Sequence, residues 1–184
     1  MAIEQKINEV LNKIPAIKKI VKRIYQVLMY AISSKTKYEG DIIRINPQDD
    51  YEYFFGYYDK SPWDFYDRYM LCLRVKDTTK SVAPKDSADI ILIDTQNNNT
   101  YEIIAKTSTW NVQQGCMLQW LGPDFSEKII FNDFRYGKYC SIILNIKSRE
   151  ETVIEMPVYS VSNDGKFALT LDFSRLHRLR KGYG

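Results

Sequence analysis

At 184 residues, 45% hydrophobic and with a net charge of only +3, the chain carries enough apolar material for one sizeable core and no basic surface broad enough to hold nucleic acid. No apolar run approaches the ~20 residues of a membrane-spanning helix, and no compact apolar segment with a small-residue cleavage site marks a secretory signal, so the expected location is cytoplasmic. Aromatic residues make up 14% of the chain, fourteen of them tyrosine, which leans it towards β structure because such rings suit a half-buried pleated surface.

Residues 1–34 read as helix. Ile3, Ile7, Val10, Ile14, Ile17, Val21, Ile24, Leu28 and Ala31 recur in steps of four and three, an apolar seam at heptad spacing. Pro15 interrupts the seam, which predicts either two helices or one kinked helix. Charge is concentrated here: residues 1–37 hold eight lysines and arginines against two glutamates, and the rest of the chain is net acidic. Lys18-Lys19 and Lys22-Arg23 lie beside further apolar residues at Ile20, Tyr25, Val27, Met29 and Ile32. Three readings of the segment stand: a helix packed on its own domain or on a partner's helix, a basic amphipathic helix on an anionic membrane surface, or a short self-associating coiled coil. The second implies peripheral contact with the inner membrane through residues 1–34. Residues 35–47 follow as a polar linker and lead-in strand, with Gly40 as a boundary, a strand expected over residues 42–45 and a stop at Asn46-Pro47.

From residue 48 to 184 the pattern changes to short strands punctuated by turns, and one unit recurs. It consists of an aromatic-rich inner run, a turn with Pro, Asp or Gly, an apolar strand, a second strand ending in Asp or Asn, and a short polar-flanked strand. The first copy spans residues 56–61, 62–67, 68–75, 89–94 and 101–105, with a long loop at 76–88; the second spans 116–121, 122–127, 128–132, 140–145 and 152–155. A third begins at 158–166 and 167–172, and Tyr69, Ile129 and Phe167 are taken as equivalent positions. Four short antiparallel strands per unit predict the blades of a β-propeller. The expected fold class is therefore mainly β: a partial β-propeller of two four-stranded antiparallel blades and the start of a third, preceded by the amphipathic helical segment. A sandwich of antiparallel meanders is the competing architecture. Two blades and part of a third do not close a ring of roughly four to eight, so the pattern predicts the front part of a longer protein. Cys72, Cys116 and Cys140 sit in apolar runs without the close pairing of a metal site and read as buried free thiols.

Asn163-Asp-Gly-Lys166, after Ser162, resembles the Ser-Pro-Asp-Gly-Lys turn of TolB-type propeller blades, and Ser61-Pro62-Trp63-Asp64 resembles a degenerate version of it. Phe55-Gly-Tyr-Tyr-Asp-Lys-Ser-Pro-Trp-Asp64, Gln114-Gly-Cys-Met-Leu-Gln-Trp120 and the segment from Phe173 to Gly184 resemble a family of bacterial propeller proteins found among cell-surface polysaccharide genes and sometimes labelled glycosyltransferase. Over residues 40–184 the arrangement is more distantly similar to oligogalacturonate lyases, propellers that hold a divalent metal through several histidines and a glutamine. These resemblances imply a carbohydrate-handling propeller linked to cell-surface polysaccharide biosynthesis, binding a sugar or an anionic glycan, as part of a transferase or a lyase. The competing class is a non-catalytic propeller that docks protein partners or glycan precursors at the inner membrane surface. His177 is the only histidine, so a divalent metal of the lyase kind would need further ligands from additional C-terminal blades.

Blade topology makes a geometric prediction. Gly56-Tyr57, residues 110–115, a loop at 132–137 and residues 174–178 should surround one mouth of a central channel, with loop 76–88 overhanging it. That mouth would collect His177, Arg175 and Gln114 as catalytic candidates, His177 being the best general base. Tyr57, Tyr58, Asp59, Trp110, Gln113, Asp133, Arg135 and Arg178 would bind substrate, since aromatic faces beside amides and arginines suit sugars and anionic groups. Plainer roles compete: inter-blade packing for Trp63 and Trp120, a structural ion pair for Asp59-Lys60, turn capping for Asp94 and Asn132. No Gly-rich phosphate loop, nucleophile elbow or HExxH motif occurs.

Overall fold

The computed structural model describes residues 14–34, 37, 39–79 and 86–180. Two compact units result, residues 1–43 and 44–184.

In the first unit, helix α1 spans Pro15–Ile32. Pro15 opens the helix rather than kinking it, because its missing N–H costs nothing at a position where no intrahelical partner exists. Ser33 closes the other end, its N–H donating to the Met29 carbonyl at 2.9 Å and its hydroxyl to the Tyr30 carbonyl at 3.0 Å. The seam expected over residues 3–13 lies outside the described residues. Residues 42–45, expected as a strand, are irregular: no strand pairs with them, and Ile42 and Ile43 stay exposed. Among the described residues no helix is long and apolar enough to cross a membrane.

The second unit is mainly antiparallel β. Strands β1 (Glu52–Phe54), β2 (Tyr69–Val75), β3 (Ala88–Asp94) and β4 (Thr100–Thr107) form one sheet in chain order. Strands β5 (Gln119–Trp120), β6 (Lys128–Arg135), β7 (Lys138–Asn145) and β8 (Glu151–Ile154) form a second sheet of the same order. A hairpin of β9 (Ser160–Val161) and β10 (Ala168–Leu169) follows, then helix α2 (Phe173–Leu179).

Each tight connection is written in its residues. Tyr136 and Gly137, at φ 53° and 77°, make the two-residue hairpin between β6 and β7, where Arg135 faces Lys138. Asn98 and Asn99 tolerate positive φ in the β3–β4 turn, and the Asn145 side chain accepts from the N–H groups of Lys147 and Ser148 in the β7–β8 turn.

Apolar side chains on one face of each sheet meet in the main core. Leu71, Leu73, Val75 and Ile90 from the first sheet pack with Trp120, Ile129, Phe131 and Ile142 from the second. The other face of the second sheet has its own cluster, Met117, Leu121, Ile130 and Val158, against which Tyr159, Val161 and Phe173 pack. The second sheet thus lies between the first sheet and the β9–β10 hairpin, and β6 is buried on both faces.

Two buried amides fasten the hairpin to that sheet. Asn132 donates to the Val158 carbonyl at 2.8 Å and accepts from the Val158 N–H at 2.7 Å, a substitute for a missing backbone pairing. Gln119 donates to the Tyr159 carbonyl at 3.4 Å and accepts from the Val161 N–H at 3.2 Å. Asn132 is therefore not a turn cap but a strand-internal bracket. The expected loop at 132–137 shrinks accordingly to Tyr136-Gly137, since β6 runs on to Arg135.

Three further expectations change. The inner run at 56–61 is not a strand: Gly56 leaves extended geometry at φ +124°, and a Cβ there would stand 2.8 Å from the Gln114 carbonyl. Only a glycine lets the two backbones cross at that distance. The equivalence of Tyr69, Ile129 and Phe167 is off by one in the second copy. Matching hydrogen bonds close the three turns, Asp64 N–H to Tyr69 O (2.9 Å), Leu121 N–H to Lys128 O (2.8 Å) and Ser162 N–H to Phe167 O (2.8 Å), so Lys128 is the counterpart. One residue matters, because it exchanges the two faces of the strand. Finally, residues 174–178 belong to a short helix, capped by the Asp172 carboxylate accepting from the Arg175 N–H.

Candidate functional site

The three closing turns lie side by side. Phe65 N–H donates to the Phe125 carbonyl at 3.0 Å, joining the first turn to the second. Gly122 and Gly165 then bring the second turn against the third, a Cβ on Gly165 falling 2.5 Å from the Gly122 carbonyl oxygen. Between them opens a cleft of about 360 Å³, lined by residues 59–61 and 63–65 of the first turn, Gln119, Trp120 and Phe125 of the second, and residues 160–163 of the third.

Trp63, Phe65 and Phe125 supply the aromatic walls. Trp120 forms the floor: it is buried, and its indole N–H donates to the Pro62 carbonyl at 2.9 Å, tying the second sheet to the first turn. The packing role expected for Trp120 is the one it has. Asp64 is likewise occupied, one carboxylate oxygen accepting from the N–H groups of Arg68 (2.8 Å) and Tyr69 (2.7 Å). Lys60 reaches Asp59 at 2.9 Å and lies 4.6 Å from the Tyr159 ring centroid, its side chain only 6% exposed. The ion pair expected at Asp59-Lys60 is present. Burial first, and then Asp59, push the Tyr159 hydroxyl above its ordinary pKa, so it stays protonated as a donor. The side chains of Ser160 and Asn163 make no hydrogen bond to any described residue, which leaves a hydroxyl and an amide pointing no bond into the protein.

The residues predicted to share a channel mouth divide into three groups. Gly56 and Gln114 do meet, through the backbone crossing that also sets Gly115 against Phe55. Trp110 joins them, its ring 5.8 Å from Phe54 and its N–H donating to the Asp86 carbonyl at 3.0 Å, so the end of loop 76–88 does reach this region; residues 80–85 lie outside the described residues. Asn111 caps the same turn by accepting from the N–H groups of Gln113 and Gln114. Gln114 is 6% exposed, and its side-chain oxygen has no hydrogen-bond partner among the described residues.

Asp133 and Arg135 form the second group, and their charges are matched. Asp133 accepts from the Ser108 N–H at 3.0 Å and from Arg135 at 2.8 Å, while Arg135 also pairs with Glu151. Glu151 foremost, with Asp133 assisting against burial, holds the Arg135 guanidinium well above its ordinary pKa. Arg135 is thus clasped by two carboxylates rather than open to an anionic ligand.

Arg175, His177 and Arg178 make up the third group, exposed on α2. Their side chains form no hydrogen bond or ion pair with any described residue, and none joins them to Gln114. Tyr57 and Tyr58 stack on each other at 4.5 Å with Tyr58 exposed, and of the proposed binding residues only Asp59 lines the cleft. Among the described residues no three His, Cys, Asp or Glu side chains cluster as metal ligands would. Burial raises all three thiols, Cys72 to about 12, as expected of structural cysteines.

Sequence reasoning missed Phe65, Phe125, Ser160 and Asn163 as a group. The signal was the turn resemblance itself: Ser61-Pro62-Trp63-Asp64 and Asn163-Asp-Gly-Lys166 occupy equivalent places beside each other. Compared with protein-family models, with curated proteins and with solved structures, the chain matches none.

Proposed function

We propose that the second unit is a propeller-type array that binds a neutral saccharide in the cleft between its closing turns. The observation that carries the binding reading is the pairing of aromatic walls, Trp63, Phe65 and Phe125, with the Ser160 hydroxyl and Asn163 amide, in a space of about 360 Å³. Sugar rings present apolar C–H faces and polar rims, which is the complement of such a lining. Charge selects among sugars. Asp59 and Asp64 line the cleft beside a single ammonium, Lys60, so the cleft disfavours the uronate or phosphate that the arginines of the predicted channel mouth were expected to attract.

The propeller reading is supported by three repeats of the same turn closure and by sheets stacked in chain order. It is further supported by the third turn and β10, where Phe167 and Leu169 are 73% and 69% exposed on the face that in the first sheet is buried through Leu71. Resemblance to propellers of cell-surface polysaccharide genes supplies the biological setting. The carboxylates at the cleft are engaged, Asp59 with Lys60 and Asp64 with backbone N–H groups, so the groups present favour docking a glycan or its precursor over turning it over.

Titration of the intact protein with neutral and uronate-containing oligosaccharides, read by tryptophan fluorescence, tests this. Saturable quenching by the neutral set, lost in Trp63→Ala and kept in Trp110→Phe, is expected. Absence of any saturable change, or quenching unaltered in Trp63→Ala, sinks the reading.

A further inference from the structure

Helix α1 holds four cations, Lys18, Lys19, Lys22 and Arg23, and no acidic residue anywhere along its 18 residues. At about 100° per residue, Lys19, Lys22, Arg23 and Gln26 fall with Lys18 into one arc of roughly 140°, which also holds Met29 and Tyr30. Ile17, Ile20, Val21, Ile24, Val27 and Leu28 fall into the opposite arc, roughly 120° wide. All six are exposed, from 44% at Val21 to 60% at Ile20.

We infer that α1 lies in the plane of an anionic lipid surface, with its apolar arc in the acyl boundary and its cations among the headgroup phosphates. Width decides against a two-stranded coiled coil on that face. A two-stranded coiled coil buries only the a and d positions, here Ile17, Val21, Ile24 and Leu28. Ile20 and Val27 on one side and Tyr25 and Ile32 on the other extend the apolar surface past that seam, and a partner helix would leave them wet. A lipid boundary covers the whole arc at once. Charge agrees. No acid within Pro15–Ile32 neutralises Lys19, Lys22 or Arg23, and among the described residues no ion pair does, whereas anionic lipid would. Tyr25 sits on the border between the arcs, where an amphipathic ring has its apolar body and its hydroxyl both satisfied. The helix is about 27 Å long, a length that lies on a bilayer without spanning it in view of its four charges.

Co-sedimentation of the full chain with phosphatidylserine-containing vesicles and with pure phosphatidylcholine vesicles is the test. Binding to the anionic vesicles, weakened by salt and at least ten-fold poorer on the neutral ones, is expected. Lys19→Gln with Arg23→Gln lowers the partition constant about thirty-fold, at about five-fold per charge. Ile24→Ser with Leu28→Ser abolishes binding while the tryptophan spectrum of the β unit stays unchanged, which separates loss of docking from loss of fold. No binding to anionic vesicles, equal binding to both kinds, or indifference to the serine pair overturns the proposal. So does a stable dimer in buffer that the serine pair dissociates. Saccharide titration of the same protein reads the cleft and not the helix, so either proposal can fail alone.

Discussion

Replacing Asn132 by Ala tests how the third hairpin is held. The amide makes two hydrogen bonds to the backbone of Val158, at 2.8 and 2.7 Å, and both residues are about 2% exposed. Truncation removes both bonds and leaves a buried carbonyl and a buried N–H on Val158 without the Asn132 partner. At about 1–2 kcal/mol for each orphaned group, the loss is about 3 kcal/mol. That corresponds to a fall in Tm of about 10 °C for a domain of this size. Urea denaturation and calorimetry measure it, and amide exchange locates it. Exchange at Val158 and Val161 should speed up roughly a hundred-fold, and by more than at β2 and β3, because the bracket serves the hairpin directly. Asn132→Asp keeps the acceptor for the Val158 N–H but sets a carboxylate oxygen against the Val158 carbonyl, so it should be no milder. Because the hairpin brings Ser160 and Asn163 to the cleft, both variants should also weaken saccharide binding. A loss below about 1 kcal/mol in Asn132→Ala, or exchange that rises evenly across both sheets, refutes the bracket.

Gly56→Ala should destabilise by about 2–4 kcal/mol, since it combines a φ that alanine avoids with a Cβ pressed on the Gln114 backbone; an unchanged urea midpoint contradicts the crossing. Arg68, bonded to Asp94 at 2.7 Å, holds that carboxyl below its ordinary pKa. The folded value is the lower one, so the pair stabilises above the ordinary carboxylate range and the contribution disappears as pH falls through the folded value. The difference in urea midpoint between the natural chain and Asp94→Asn should therefore shrink on acidification, and a difference that grows is the wrong sign. Cys72, Cys116 and Cys140, buried and raised in pKa, should resist a thiol reagent at neutral pH until denaturant is added; rapid labelling of the native protein excludes the packing described.

The middle strands were legible because two-sided burial writes itself as an unbroken apolar run, as in Met70-Leu-Cys-Leu73 and Ile129-Ile-Phe131. Inner strands were not. β5 pairs through two residues only, Gln119 and Trp120, too few for any periodicity to register. Asn132 misled for a physical reason: an Asn after an apolar run normally ends a strand, and its actual partner is Val158, 26 residues away. Helix α2 carried its own signature, Asp172 as cap with Phe173 and Leu176 three apart, which the preceding strand pattern obscured. The cleft was out of reach for periodicity altogether. Its walls come from residues about 60 and 40 apart in the chain, brought together by backbone contacts at Gly122 and Gly165.

Burial on both faces gives β6 a consequence in time. From Ile129 to Asp133 every residue is buried, with the first sheet against one side and the hairpin against the other. Opening the β9–β10 hairpin or the β8 edge uncovers one layer; opening β6 separates the first sheet from the hairpin as well. Its amides therefore exchange only when the whole unit comes apart, and their rate is the clock for global unfolding, while the β9–β10 hairpin and the outer β8 edge keep faster time. A ligand seated across the three turns would slow the hairpin's clock first and leave that of β6 until last.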